Sequence, residues 1–567
     1  MFGLSFLLAA ACFHTVASQL SLPESPWLPP DASKGAQPSN GSSPNSQWSN
    51  LLGNLLYFYE AQRSGVLPST NRVSWRNDSC TNDGSDVGLD LSGGYYDAGD
   101  YIKATFPLSF TLMSICWGAT DFGKGYDMAN QTAYLDDMLR WGLDWLIKTH
   151  PSNNTLYIEV ADTGIDNAYW GGDQHIPEPR PSFQINNTHP GTDAAAAASA
   201  AFASCSNLYA GRGFNRGQAY QPPASLTNSS YADTLLNHSQ QLYSFAINAS
   251  GGWLKYQKSV PIVTDSYASS GYGDELTIAA LFLSAATNSS SYYQDALDYY
   301  KQFSLSGQDA VFNWDSKTPG VYVLFAQLAQ AGYEFASGEL SSRQMECERY
   351  FDNIVNNKSK ATLTPGGLIF YDGDSNSATL NPALNAAMLL ARYAPIASSS
   401  EKTTAYLARV NPNSPSNPHS ATASGGDDIL NIDTVPLHEA YVLYGAVVGG
   451  PDPTDKFFDI RNDWVESEVA LDYNAPMLTL AAMHVLNDTN DPFYTSLQAG
   501  GYEPVKPQGQ PCDDAIQDGC AASGGHHMST GVKIALIVVL VVVGSVILGL
   551  LSYYLWVVRK RRQGKTG

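Results

Sequence analysis

Ser92-Gly93-Gly94-Tyr95-Tyr96-Asp97-Ala98-Gly99-Asp100 sets two carboxylates three positions apart, with glycines on both sides. In a helical turn that spacing aims both side chains the same way. Neighbouring carboxylates raise each other's proton affinity, which suits a general base. Read as an ordinary glycine-rich turn, the same residues would be helix-capping aspartates. A calcium loop would need a fuller ladder of oxygen ligands than this spacing offers. A second acidic cluster runs from Asp459 to Asn474 and contains Asp459, Asp463, Glu466, Glu468 and Asp472. A carboxyl buried there would hold its proton to higher pH and serve as an acid. A solvated acidic loop is the plainer reading of such a run. Together the two clusters, with Trp170, Trp314 and many tyrosines as flat platforms, fit the hydrolysis of sugar bonds. No Ser/His/Asp order, phosphate loop or zinc spacing competes, and His526-His527 reads as a solvated pair.

Helices must position these acids. Leu51, Leu52, Leu55, Leu56 and Tyr59 recur at helical spacing. Similar stretches predict helices near 104–118, 132–148, 193–210, 231–248, 275–287, 291–303, 318–337, 340–357, 380–398, 434–447 and 474–487. Many are apolar nearly all round, which means burial on more than one side. The pattern predicts an all-α fold, and a dozen buried helices with long loops suggest a closed two-layer barrel.

The chain has 567 residues, 53 acidic and 31 basic side chains and a formal charge of −22. That balance argues against a nucleic-acid partner, which needs a basic footprint. Only 15% of residues are charged and 44% are hydrophobic, so a mostly disordered chain is excluded. Residues 1–18 carry an apolar run followed by Val16-Ala17-Ser18, a secretory signal pattern. Residues 19–47 read as a flexible leader, 48–500 as one catalytic domain and 501–533 as a stalk. Ile534–Val558 is apolar enough to predict a single transmembrane helix, with 559–567 as a basic cytoplasmic tail. The expectation is a type I membrane protein with its domain outside the cell, attached to the plasma membrane by that C-terminal helix. About eleven Asn-x-Ser/Thr sequons, Asn77 and Asn130 among them, accord with that side. So do six cysteines beyond Cys12; Cys512 and Cys520 are expected to pair, and the pairing of the other four stays open.

The ordered motifs resemble glycoside hydrolase family 9. They begin at Phe58-Tyr59-Glu60-Ala61-Gln62-Arg63 and pass through Tyr96-Asp97-Ala98-Gly99-Asp100, Trp141-Gly142-Leu143-Asp144-Trp145-Leu146 and Gly271-Tyr272-Gly273-Asp274. Trp314-Asp315 and Thr364-Pro365-Gly366-Gly367 follow, and the series closes at Glu468-Val469-Ala470-Leu471-Asp472-Tyr473-Asn474. The resemblance implies an (α/α)6 barrel and an inverting endo-β-1,4-glucanase acting on cellulose or a related β-glucan polysaccharide. It implies Asp100 as the general base, Asp97 as its partner on the attacking water and Glu468 as the general acid. It further implies substrate contacts from Trp170, Tyr272, Trp314, Asp315, His419, Asp459, Arg461 and Tyr473. No cofactor is required by that chemistry; some members hold calcium, for which this chain shows no compelling spacing.

The chain departs from the family pattern in places. Asn167 stands where a histidine is usual, the Trp and Arg expected near Ser377 and Asn381 are missing, and no Arg follows His419. A helix also breaks off short at Tyr406–Asn411. These departures keep a second reading in view, a non-catalytic glucan receptor or wall sensor on the same barrel. A third is a hydrolase for another cell-wall β-glucan.

Overall fold

The computed structural model describes residues 19–30, 38–214, 220–374, 378–409, 433, 441, 443–492, 507–517 and 520. Met1–Gln508 forms one compact unit and Gly509–Gly567 a second.

Twelve helices of eight residues or more are described, all in the first unit. They are α1 (Ser46–Ala61), α2 (Thr105–Asp121), α3 (Thr132–Thr149), α4 (Thr192–Tyr209), α5 (Ser229–Asn248) and α6 (Gly273–Thr287). The series continues with α7 (Ser290–Gln302), α8 (Thr318–Gln330), α9 (Leu340–Val355), α10 (Leu380–Tyr393), α11 (Ser400–Leu407) and α12 (Leu471–Asn487). The even-numbered helices form an inner ring: α2 packs on α4, α4 on α6, α6 on α8, α8 on α10, α10 on α12, and α12 on α2 again. The odd-numbered helices form the outer layer, α1 and α3 beside α12 and α2, and α5, α7, α9 and α11 each beside the inner helix next to it in the chain. The expected all-α, (α/α)-type barrel is therefore what the chain forms.

Composition decides the layer. Every residue of α2 and α4 is buried, which suits helices with neighbours on all sides. The alanines of α4 let inner helices approach closely. α3 instead buries Tyr134, Leu135, Met138, Leu139, Leu143 and Leu146 at helical spacing and leaves its other face wet. A disulfide, Cys116–Cys205, ties α2 to α4, while Cys80 and Cys347 are free thiols. The buried pair Arg392–Asp121, 2.7 Å apart, joins α10 to α2.

The described strands all lie in loops that run from an outer helix to the following inner helix. β1 (Lys103–Ala104), β2 (Thr155–Val160) and β3 (Ser182–Asn186) make an antiparallel sheet in that order, and β4 (Ala361–Leu363) pairs with β5 (Ile369–Tyr371). The first and last helices are joined where the ring closes. Asn45 caps α1 and its N–H donates to the Val485 carbonyl, Ser43 Oγ donates to Leu486, and Trp48 stacks on His484 at 4.3 Å. The stretch read as a leader has fixed contacts in its described part. Gln19 and Leu20 donate to Asp137 and Asp136, each at 2.7 Å, and the Trp27 ring fills the space left by Gly53.

The expected transmembrane helix is corrected. No helix among the described residues is long and apolar enough to cross a membrane. A span needs roughly twenty apolar residues in a row, whereas the 20-residue α5 carries Asp233, His238, Gln240 and Gln241 and buries one face only. Ile534–Val558 and the signal and tail segments lie outside the described residues. The expectations of membrane attachment, type I topology and a plasma-membrane location, which rested on that helix, are therefore not carried further.

A second correction concerns 434–447. Its described end, 443–447, is a turn rather than a helix, with Gly445 at φ +88° against the Leu51 side chain. The Asn474 side chain takes the place of helical partners, accepting from Val447 N–H at 2.7 Å and donating to its carbonyl. In the second unit, Cys512 and Cys520 form the expected disulfide, and Asp513 caps a turn by accepting from Ala515 and Ile516.

Candidate active site

The inner helices begin at one end of the barrel, and the acids gather there. The loop from α1 to α2 is stitched before it reaches Asp97. Ser64 N–H donates to Gly94 O at 2.9 Å, Tyr96 N–H to Gln62 O at 2.9 Å, and Gln62 Nε2 to Ala98 O at 2.5 Å. Gly94, at φ +74°, lies flat on Trp145, where a Cβ would come within 2.5 Å of the ring. Lys103 is buried under this loop and bound to Leu91 O, Gly93 O and Asp83, which also pairs with Arg180. Asp97 N–H then donates to Ile102 O, and the Asp97 carbonyl accepts from Leu471 N–H at the start of α12. That last bond binds the base loop to the segment bearing the acid.

Glu468 lies between the short helix Trp464–Ser467, capped by Asp463, and α12. Its backbone is clamped by Gly449 N–H on Glu468 O at 3.0 Å and by a bridge between Val448 and Val469. Gly449 has no room for a side chain, since a Cβ would meet Val465 O at 1.9 Å. The Glu468 carboxyl reaches across and accepts from Gly99 N–H at 2.9 Å. Asp97, Asp100 and Glu468 thus meet in one place. Asp97 is buried, while Asp100 and Glu468 keep partial exposure.

The electrostatics follow from crowding. Burial, with the charges of Asp472 and Glu159, pushes Asp97 up to about 8 against the pull of Tyr267. Burial pushes Glu468 up to about 7, opposed by the Gly99 bond and aided by Asp97 and Asp166. Asp100 is raised well above the carboxylate range by burial and then by Asp166, Asp97 and Glu468. Such a site can hold a proton for a leaving group near neutrality and accept one from water.

Two partners of the acids were not legible in the sequence. The Tyr267 hydroxyl donates directly to Asp97 Oδ2. Asp166 accepts from the Tyr101 N–H with both oxygens, each at 3.2 Å. Asp166 directly precedes Asn167, but nothing local marks Asp166 or Tyr267 as a partner of acids far along the chain. Tyr267→Phe should lower kcat about tenfold or more by removing the donor that steadies an ionised Asp97. Steady-state turnover checks this, and a wild-type kcat would contradict it.

The expected substrate residues divide. Trp314 stands edge-on to Tyr267 at 4.9 Å and so belongs to the cleft. Asp315 accepts from Ser270 N–H at 2.7 Å and holds the loop before α6. Burial raises the Tyr473 hydroxyl, and the charges of Asp472 and Glu468 add to it. Trp170 is half-buried near Asp166 in the chain. Tyr272 instead packs edge-on against Phe303 and Trp253, at 5.6 and 6.1 Å, within the α6–α7 region. Arg461 is buried and Asp459 is half-buried at φ +49°, both in the segment leading to Glu468. His419 lies outside the described residues. Asp472 bonds Asn381, which in turn accepts from Asn385, so a polar ladder enters the ring where a larger residue was expected.

Residues 48–481 match the family model for glycosyl hydrolase family 9. Endoglucanase A of Bacillus pumilus is 34% identical over 463 residues, 77% of this chain and 66% of that protein. Endoglucanase 13 of Arabidopsis thaliana is 33% identical over 485 residues, 77% of this chain and 94% of that protein. Among solved structures, an endoglucanase from the termite Nasutitermes takasagoensis superposes with a TM-score of 0.67 at 34% identity, covering 77% of this chain and 98% of that one. A cellulase of C. cellulolyticum in complex with cellobiose gives 0.64 at 27% identity, with 77% and 98% covered.

Proposed function

The chain belongs to glycosyl hydrolase family 9, and from that premise we propose that it is an endo-β-1,4-glucanase that cuts its substrate with inversion. It is a hydrolase of glycosidic bonds, and cellulose or a related β-glucan is its substrate. The single observation that carries the mechanism is the bond from Gly99 N–H to Glu468, which brings a high-pKa carboxyl beside the Asp97–Asp100 pair. In this reading Glu468 protonates the leaving oxygen. Asp100 takes a proton from the attacking water, and Asp97, steadied by Tyr267, holds that water in place. Inversion needs the acid and base carboxyls roughly 6.5–9.5 Å apart, so that water fits between base and sugar. Trp314 and Tyr473 offer ring faces to a neutral polymer, which is gripped by stacking and hydrogen bonds rather than by charge.

The reading predicts the first-formed anomer. Hydrolysis of a soluble β-1,4-glucan, followed by proton NMR from the first minute, should show the α anomer ahead of mutarotation. Appearance of the β anomer first would overturn inversion, and binding without any reducing-end release would return the receptor reading.

A further inference from the structure

We propose that Asp166 is the positioning residue of this site: its carboxylate fixes the peptide that carries Asp100 and sets a further negative charge behind the reacting acids. The inference rests on the acid–base reading above and goes beyond it by assigning a role to a residue outside the reacting trio.

Asp166 ends the short helix Thr163–Asp166, whose first turn is capped by the Asp162 side chain. The residue is 5% exposed. Its two oxygens share the N–H of Tyr101, the peptide immediately after Asp100, at 3.2 Å each. A buried acceptor on that N–H restricts rotation about the Asp100 backbone, and with it the direction of the Asp100 carboxyl. Tyr101 is also held at its far end. Its hydroxyl donates to Gly171 O at 2.7 Å, and its ring packs edge-on to Tyr96 and tilted to Tyr169, at 5.0 and 6.0 Å. Asp166 and Tyr101 therefore brace the loop between α3 and α4 against the loop that carries the base. Preorganisation of this kind is worth most where a small misplacement costs rate.

Charge adds a second effect. The charged groups facing Asp166 are Asp100 on the base loop, Glu468 ahead of α12, and Arg180 just before β3. After burial, Asp166 is the strongest influence raising Asp100. Glu468 is raised by burial first, then by Asp97 and Asp166. Asp166 is itself raised by burial and drawn back by the Tyr101 N–H and Arg180. A neutral side chain at 166 would let both reacting carboxyls ionise at lower pH.

The test measures kcat and KM against pH on a soluble cello-oligosaccharide for the full chain and three variants. Asp166→Asn keeps an oxygen acceptor for Tyr101 and removes the charge. Both limbs of its profile should move to acid by about 0.5–1 on the pH scale, with KM within about twofold of wild type. Asp166→Ala removes acceptor and charge and should lose about tenfold or more in kcat with little change in KM. If Asp166→Ala does not fold, the Asp166→Asn profile decides alone. An Asp166→Asn profile that superposes on wild type overturns the proposal, as does a folded Asp166→Ala with wild-type kcat. The third variant, Asp100→Asn, separates the two readings: full activity there overturns the acid–base assignment itself. An inactive Asp100→Asn beside an Asp166→Asn profile identical to wild type overturns only the role of Asp166.

Discussion

Glu468→Gln and Asp100→Asn should each lower hydrolysis by about 10²–10⁴-fold while the protein stays folded. The glutamine keeps an oxygen for the Gly99 N–H, so the bond between acid segment and base loop survives. What it loses is the proton for the departing sugar. The asparagine at 100 likewise keeps the shape of the carboxylate and the bond from Ala98 N–H but cannot take a proton from water. Unchanged KM with lowered kcat would mark the loss of an interaction made in the transition state only. Near-normal turnover in either purified variant, with unaltered circular dichroism, would overturn the assignment.

The thermal midpoint should fall by roughly 5–10 °C between pH 5 and pH 8.5. Burial raises Asp97 to about 8, Glu159, Asp193, Glu468 and Asp472 to about 7, and Asp121 to about 6. In the unfolded chain these groups return to about 4. Between those values the folded state binds more protons than the unfolded state, so stability declines as pH rises. The contribution is fully present below about pH 4 and lost once pH has passed through about 6–8. A tenfold difference in proton affinity between folded and unfolded states is worth ~1.4 kcal/mol, so several groups together give a loss on the order of several kcal/mol. Acid exposes an opposite contribution. Burial would raise Asp83, but Lys103 and Arg180 more than offset it and hold it below the usual value. Its stabilisation is lost only as pH falls below about 4. Calorimetry across this range checks the sign, and a midpoint that is flat or rises to pH 8.5 would contradict it.

Most of the barrel was legible because most of its helices repeat their signal over about four or five turns, which the eight-residue α11 does not. The alternation of wholly buried and one-faced helices, α4 against α3 for instance, distinguishes inner from outer layers. Asp97, Asp100 and Glu468 were legible because short local motifs carry them. Tyr267 and Asp166 were not, because each works by reaching a loop 65 or more positions away, and no local pattern encodes such a meeting. Tyr272 sits beside a recognisable motif, and its packing against Trp253 and Phe303 was not legible for the same reason. At 443–447 the apolar run serves a turn and a bridge, Val448 with Val469, rather than a helix face. Periodicity cannot separate those uses in so short a run.

The seam between α1 and α12 bears on how the protein is born. α12 is the last helix of the ring, follows directly on the acid Glu468, and fits between the first helix and α2. A ribosome that has released everything up to α11 has therefore made the base but not the acid, and a ring with one segment missing. The nascent domain cannot cut glucan, and its inner apolar faces stay uncovered until α12 emerges. Pairing of first and last helices gives the fold contacts of very high sequence separation, which slows closure. Hydrolytic competence and a closed core should thus arrive together, once α12 has left the ribosome, and the nascent chain is most in need of chaperones just before that point.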